Sequence, residues 1–468
     1  MQFGGYLVLK RSTTLMLTLA IIVVSYAITF NWLLAPIAAC GIVLLYLISN
    51  FKITLVFVLF ASTMNGLNIA SPLLKLENAS ILLSIAAIFL FVTYKRGKMF
   101  LSSEVACFII FIAYSYYVSS RYSPVFDQSV HGMIQITIAF LGLVVMLQLR
   151  NYDFQSQLSL IKVYVLISVL QTIYGLASFT AYRLNGSILG GLMFGQGAES
   201  VTLKGTFIEA NLFGAFVAVG LILCLALLIN KMVAHVRLWY LASIILFVGL
   251  VFSWTRSAWI GFALALAVMA VYNFRSFLNP KTVVRLAVTL TLIVVPSFLL
   301  IQNQFDHVSG ENGLFISKLS HLFDHTSGTG GYRVQQFNSA LDDVQGHELL
   351  GKGYYSIKVY GSTAWISNMY LFIYHDTGIV GCIIFFLVIL SIMIKGVRGI
   401  KRTRDKQRKI MITALLSGAL LYLFSFNFTP GHTLSMFWIH LGLLLAVAGN
   451  SREEEMPDKP VIRVKEEM

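Results

Sequence analysis

Trp365-Ile-Ser-Asn-Met-Tyr-Leu371, running on through His375 and Asp376 to Gly378-Ile-Val-Gly381, is where a long polar segment of this chain turns into an apolar helix. The polar segment begins at Gln302 and carries His307, Arg333, Asp342, Asp343, His347, Glu348, Lys352 and Lys358. Elsewhere, apolar runs long enough to cross a bilayer follow one another with short polar connections. The 468 residues are 57% hydrophobic and only 12% charged, far from the balance of a water-soluble globule. The expected fold is all-α: a polytopic integral membrane protein of about 14 transmembrane helices with one large external loop.

Apolar windows place the spans near 13–30, 32–49, 53–70, 79–94, 103–119, 131–148, 159–181, 208–230, 236–253, 256–273, 283–301, 368–394, 410–426 and 433–449. This divides the chain into a membrane domain at 1–301, the external loop at 302–367, a second membrane domain at 368–450 and a charged tail at 451–468. The second-longest connection, 182–207, is Gly-rich and falls on the same side as the large loop. With the amino terminus inside, most of the 34 Lys and Arg residues lie in inside loops and tails, as the positive-inside rule requires. Both termini are therefore expected in the cytoplasm. The formal charge of +14 follows from this topology, so nucleic-acid binding is not expected. Cys40, Cys107, Cys224 and Cys382 lie in apolar runs without metal-ligand or CxxC spacing. Ile37-Ala-Ala-Cys40 loosely resembles a lipoprotein cleavage box, but the apolar stretch before it is too long, and the first run reads as an uncleaved span.

Three spans that run from outside to inside begin with polar motifs: Gly205-Thr-Phe-Ile-Glu-Ala-Asn211, Ser253-Trp-Thr-Arg-Ser-Ala-Trp259 and Ser367-Asn368. Each can point free backbone N–H groups and the positive end of a helix dipole at the outer face, a setting suited to an anion. Arg256 follows Thr255, a plausible N-cap, in a hairpin too short to be a soluble feature. An ionisable group at that depth is either used, to hold a phosphate or diphosphate through its planar fork, or snorkels to headgroups. Arg333 belongs to an amphipathic loop helix on which Val334, Phe337, Leu341 and Val344 share one face, with Arg333 and Gln336 off it. Arg183 and Lys204, flanking the Gly-rich loop, are weaker candidates of the same kind. Glu209, expected in the first turn of its span, can act as a general base, pair with an arginine or complement the helix dipole. His375 lies seven residues after Asn368, on nearly the same helical face; His347 is in the loop. Asp342 and Asp343 are adjacent on a helix and face different directions, and no metal-binding, P-loop or dinucleotide fingerprint occurs. No metal and no cofactor are expected.

Together these motifs resemble the O-antigen ligase and polymerase superfamily of bacterial envelope proteins, over roughly Gly205 to Gly381. Gly205-Thr-Phe-Ile-Glu-Ala-Asn211 is similar to the family's Gly-x-Phe-x-x-Pro-Asn element, with Ala210 in place of Pro. Trp254-Thr-Arg-Ser-Ala-Trp-Ile-Gly261 is similar to its Ser-Arg-Gly-Ala-Trp signature, with Arg256 at the arginine. Arg333 with Phe337, Ala340 and Leu341, followed by Leu349-Leu-Gly-Lys-Gly353, looks like elements of its external loop. Ligases of the family carry His-Asn, nine residues, then Gly-x-x-Gly; here Asn368 precedes Gly378-Ile-Val-Gly381 at that spacing, but Ser367 stands where the His belongs.

The resemblance implies transfer of a glycan from undecaprenyl diphosphate to a sugar hydroxyl at the outer face of the bacterial cytoplasmic membrane. Missing the imidazole favours a Wzy-type polysaccharide polymerase over a ligase; a transporter or flippase is the reading from another class. The expected diphosphate ligands are Arg256, Arg333, Arg183 and Lys204. The expected base is Glu209, then His375 and His347, with Ser367 and Asn368 orienting the acceptor. Expected partners are the polyprenyl-diphosphate-linked oligosaccharide, the lipid bilayer, a chain-length regulator and a flippase.

Overall fold

The computed structural model describes residues 51–66, 75–95, 99–187, 189–194, 201–272, 328–356 and 366–449. Their helices are α1 (Phe51–Ala61), α2 (Leu76–Lys95), α3 (Ser103–Tyr122), α4 (Phe126–Leu147), α5 (Phe154–Asn185), α6 (Ala210–Ile229), α7 (Val236–Phe252), α8 (Arg256–Tyr272), α9 (Gly328–Asp343), α10 (Met369–Arg402), α11 (Lys406–Ser425) and α12 (Ser435–Gly449). Every predicted window from 79–94 to 256–273, and from 368–394 to 433–449, overlaps one of them, whereas at 53–70 the helix ends at Ala61, a turn follows to 66 and 67–70 lie outside the described residues. The windows at 13–30, 32–49 and 283–301 lie outside the described residues, as do the tail and the first part of the large loop. Among the described helices 6 are long and apolar enough to cross a membrane, and α1, α2, α7, α8 and α12 are shorter apolar helices. The all-α expectation needs one addition: inside the Gly-rich connection, β1 (Leu192–Phe194) pairs antiparallel with β2 (Val201–Leu203).

The bundle is built around α6, which is apolar on all sides and therefore needs protein neighbours all round. Helices α5, α7, α8 and α11 supply them. Helix α12, equally apolar, packs against α4, α10 and α11, while α3 pairs with α10. Buried polar groups fix the register of these contacts. The Tyr164 and Tyr422 hydroxyls meet at 2.8 Å between α5 and α11. Lys395 on α10 pairs with the buried Glu104 of α3 at 2.7 Å. The Glu77 carboxylate at the start of α2 accepts from the Ser435 backbone N–H at 2.7 Å and from its hydroxyl, satisfying the amino terminus of α12.

One end of the bundle gathers the starts of α6, α8 and α10. Gly66 N–H donates to the Thr206 carbonyl, Ile208 N–H to Asn65 Oδ1 at 2.9 Å, and Thr206 N–H to Gln171 Oε1 at 3.0 Å, which pins the approach to α6. The Thr255 hydroxyl donates to the Ala210 carbonyl at 3.2 Å, joining the start of α8 to that of α6. Met369 N–H donates to Phe426 O at 2.8 Å, bringing the start of α10 to the turn between α11 and α12.

Candidate functional site

Glu209 and Arg256 are both set by sharp backbone turns at this end. Glu209 stands at the N-cap position, extended (φ −137, ψ 149), not inside the first turn of α6 as the sequence suggests. Its side chain does not cap the helix; Oε2 accepts from the Thr429 hydroxyl at 3.0 Å. Arg256 opens α8 after Trp254, a non-glycine residue held at φ 52. Trp259 Nε1–H donates to Leu250 O at 2.9 Å across this hairpin, closing the α7–α8 turn. Thr255 occupies the expected cap position, but its hydroxyl donates to Ala210 and Ser253 carbonyls.

Helix α9 lies over this end with an unexpected face inward. Gln336, Ala340 and Val344 are buried and Arg333 is half-buried, whereas Val334, Phe337 and Leu341 are 43%, 44% and 37% exposed. Only Val344 of the predicted apolar stripe is covered. The docking is decided by polar groups three and then seven residues apart, on one helical face, each with a partner beyond α9. Arg333 Nη2 donates to the Phe428 carbonyl at 3.4 Å and its guanidinium sits 5.3 Å from the Phe428 ring centroid. The Ser367 hydroxyl donates to Gln336 Oε1 at 2.8 Å. Asp343 closes the stripe at its far end.

Arg333 is thereby brought among two other charges. Burial and the like charge of Arg256 pull its guanidinium below the ordinary value, and the nearby Glu209 carboxylate opposes them. Burial pushes the Glu209 carboxyl up; the Thr429 hydroxyl and the Arg333 charge pull it back only in part. Yet among the described residues no ion pair closes between Glu209 and Arg333. The structure thus places Arg333 within electrostatic reach of both Glu209 and Arg256, all three half-buried.

Ten residues along α9, the charges are fully matched. Asp343 Oδ1 accepts from Lys352 Nζ at 2.6 Å, and Oδ2 meets His375 Nε2 at 2.8 Å. His375 Nδ1 meets Asp376 Oδ1 at 2.8 Å, and Asp376 Oδ2 accepts from Tyr355 N–H. Burial works against the Asp343 carboxylate, but hydrogen bonds from Lys352 and His375 hold it below the usual range. Both imidazole nitrogens of His375 face carboxylates, Asp376 on one side and Asp343 on the other, so the histidine expected as a base is tied into the contact between α9 and α10.

The Gly-x-x-Gly motif has a geometric reason. Gly378 breaks α10 with φ 63 and ψ −170, leaving carbonyls before it and N–H groups after it without helical partners. The stretch 348–353 supplies the partners: Lys352 and Gly353 N–H donate to His375 and Asp376 carbonyls, while Ile379 and Val380 N–H donate to Glu348 and Leu349 carbonyls. The two backbones cross so closely that a Cβ on Gly378 would lie 2.4 Å from Leu349 O, and one on Gly351 2.5 Å from Asp376 O.

The remaining sequence candidates are placed apart. Asn368 caps α10, its Oδ1 accepting from Tyr370 and Leu371 N–H at 2.8 and 3.0 Å, so two of the amides expected to face an anion are already engaged. His347 follows α9 and stacks edge-on against Tyr122 at 5.4 Å. Arg183 lies at the exposed end of α5 over the Phe179 ring, and the Lys204 backbone bonds Gly191 beside β2. Neither is among the charges that act on Glu209 or Arg333. Sequence reasoning missed Thr429 and Phe428, in an Asn-Phe-Thr-Pro turn without charge, and missed Asp343 and Asp376 as the partners of His375.

Residues 241–386 match the model of a protein family described as O-antigen ligase. The match takes in Arg256, α9, the 348–353 crossing and the break at Gly378, and stops short of Glu209 on one side and of Phe428 and Thr429 on the other. No curated protein matches the chain.

Proposed function

We propose that this chain, whose residues 241–386 match the family model described as O-antigen ligase and whose described helices include 6 long and apolar enough to cross a membrane, is a glycan polymerase of the outer face of the bacterial cytoplasmic membrane. The donor is a glycan repeat unit on a polyprenyl diphosphate, and the acceptor a sugar hydroxyl of a second lipid-linked glycan. The observation that carries this reading is the position of Arg333, which feels the Glu209 carboxylate on one side and the Arg256 guanidinium on the other without Glu209 collapsing onto it. Two guanidinium forks suit a diphosphate whose negative charge grows as the glycosidic C–O bond breaks, and donors fixed before the reaction stabilise that charge most. Glu209, raised by burial toward the working pH, takes the acceptor proton as the new C–O bond forms and returns it to water. The polyprenyl diphosphate leaves as an anion on the arginines. No metal is needed for this step.

The polymerase reading over the ligase reading is supported by the histidines. Ser367 replaces the ligase imidazole and hydrogen-bonds Gln336, and His375 is engaged at both nitrogens, so a carboxylate is left as base. The ligase reading is favoured by the description of the matching family itself. One experiment separates them. Purified protein in nanodiscs receives lipid-diphosphate-linked repeat units, and products are resolved on a gel. A ladder that Arg256→Ala and Arg333→Ala both abolish supports the polymerase. No ladder, but transfer to an added lipid acceptor, supports the ligase; flux of lipid-linked glycan across proteoliposomes without either product supports transport.

A further inference from the structure

Glu209 and Arg333 carry opposite charge, lie close enough to shift each other's protonation and are both withdrawn from water, yet they do not pair. At such a site an ion pair is the default resting state, because a desolvated carboxylate and guanidinium gain most from each other. What each of them contacts instead is the same turn. The Thr429 hydroxyl donates to Glu209, and the neighbouring Phe428 offers its carbonyl and its ring face to Arg333.

This turn is stiff. Thr429 is 2% exposed, and Pro430 after it restricts its backbone to extended conformations. Phe428 N–H donates to Ser425 O, Gly431 N–H to Thr429 O, and Trp438 Nε1–H to the His432 carbonyl at 2.7 Å, so both sides of the turn are bolted to α11 and α12. A tether of this kind can hold two attracting groups at a fixed separation, which a flexible loop cannot.

We propose that Phe428 and Thr429 are positioning residues that keep Glu209 and Arg333 apart, leaving the carboxylate for the acceptor hydroxyl and the guanidinium for the diphosphate. The inference rests on the polymerase reading for its chemistry, but the tether itself can be tested without any glycan. Removing the Thr429 hydroxyl frees Glu209 to close onto Arg333, whose charge already favours the ionised carboxylate, so in the released pair Glu209 must protonate at lower pH. Withdrawing the Phe428 ring loosens Arg333 and weakens its grip on the donor.

The test compares wild type with Thr429→Val, Thr429→Ser and Phe428→Leu, all in nanodiscs. Infrared difference spectra against Glu209→Gln report the protonation of Glu209 directly. Thr429→Val should move that titration, and the acid limb of elongation, to lower pH as the pair closes, and lower kcat by about tenfold with little change in KM. Thr429→Ser, which keeps the hydroxyl, should restore both. Phe428→Leu should raise KM for the lipid-linked donor about threefold or more and, by letting Arg333 approach, move the Glu209 titration to lower pH as well. A Glu209 titration that stays in place or moves to higher pH in a folded Thr429→Val protein overturns the tether whatever the activity does. A titration moved to lower pH in a protein that elongates no glycan upholds the tether and overturns the polymerase reading instead.

Discussion

Helix α9 holds a cluster of charge at each end, and the two are built on opposite terms. At the Asp343 end every charge meets its counterpart at 2.6 to 2.8 Å: lysine, carboxylate, imidazole, carboxylate. At the Arg333 end, about 15 Å away along the axis, Glu209 and Arg333 influence each other without pairing and lean on a turn instead. Matched charges stabilise a dock, and on the proposed reading an unpaired cluster is kept ready for the donor and acceptor. A single helix would then separate holding from reacting.

The sharpest way to break that contrast is to delete one member of each cluster. His375→Ala leaves two carboxylates facing each other in a buried space and should cost about 3–5 kcal/mol of stability, read as a lowered midpoint of thermal unfolding in detergent. Arg333→Ala should leave that midpoint within a few degrees of wild type while lowering the elongation rate about 100-fold or more. Equal damage from both variants in both assays would mean that the two ends do the same job.

Acid sharpens the comparison further. Glu209 has a carboxyl raised by burial, so as pH falls it is protonated early, and elongation should fail through that raised value. Asp343 has a carboxyl lowered by its partners; its contribution to stability is present above the ordinary carboxylate range and is lost only as pH falls through the lowered value. A window of mild acidity should therefore exist in which activity is lost while protease resistance of α9 is kept. Loss of both at one pH would sink the distinction. Lys352→Ala should have the smallest effect: its pair with Asp343 is partly exposed, with side chains 14% and 21% accessible, and about 0.5–1 kcal/mol of stability should go, with no change in elongation rate.

How much of this could be read from the sequence follows from what each residue depends on. The apolar helices were legible because long runs of apolar residues have few alternatives, though among the described helices 6 are long enough to cross a membrane; Arg256 was legible because a charge in a short hairpin between apolar runs stands out. The inward face of α9 was not. Its periodicity counts apolar side chains, but hydrogen bonds from Arg333, Gln336 and Asp343 turned those residues toward the bundle and left Phe337 and Val334 outside. The His375 partnership was hidden because Asp343 is 32 residues away in the chain. Thr429 gave no signal at all: a threonine before a proline in an aromatic turn is ordinary, and only the fold puts it against Glu209.

The crossing of 348–353 over the broken helix at Gly378 has a consequence for anyone who tries to recombine this protein with a relative. Helix and loop complete each other's backbone hydrogen bonds, so neither half is a whole part. A chimera that exchanges the loop at a boundary between 356 and 375 would join two segments never fitted to each other. The interchangeable module runs from the start of α9 to beyond Gly381, and cut points chosen there should give hybrids that assemble, with the native loop sequence travelling together with the helix it interrupts.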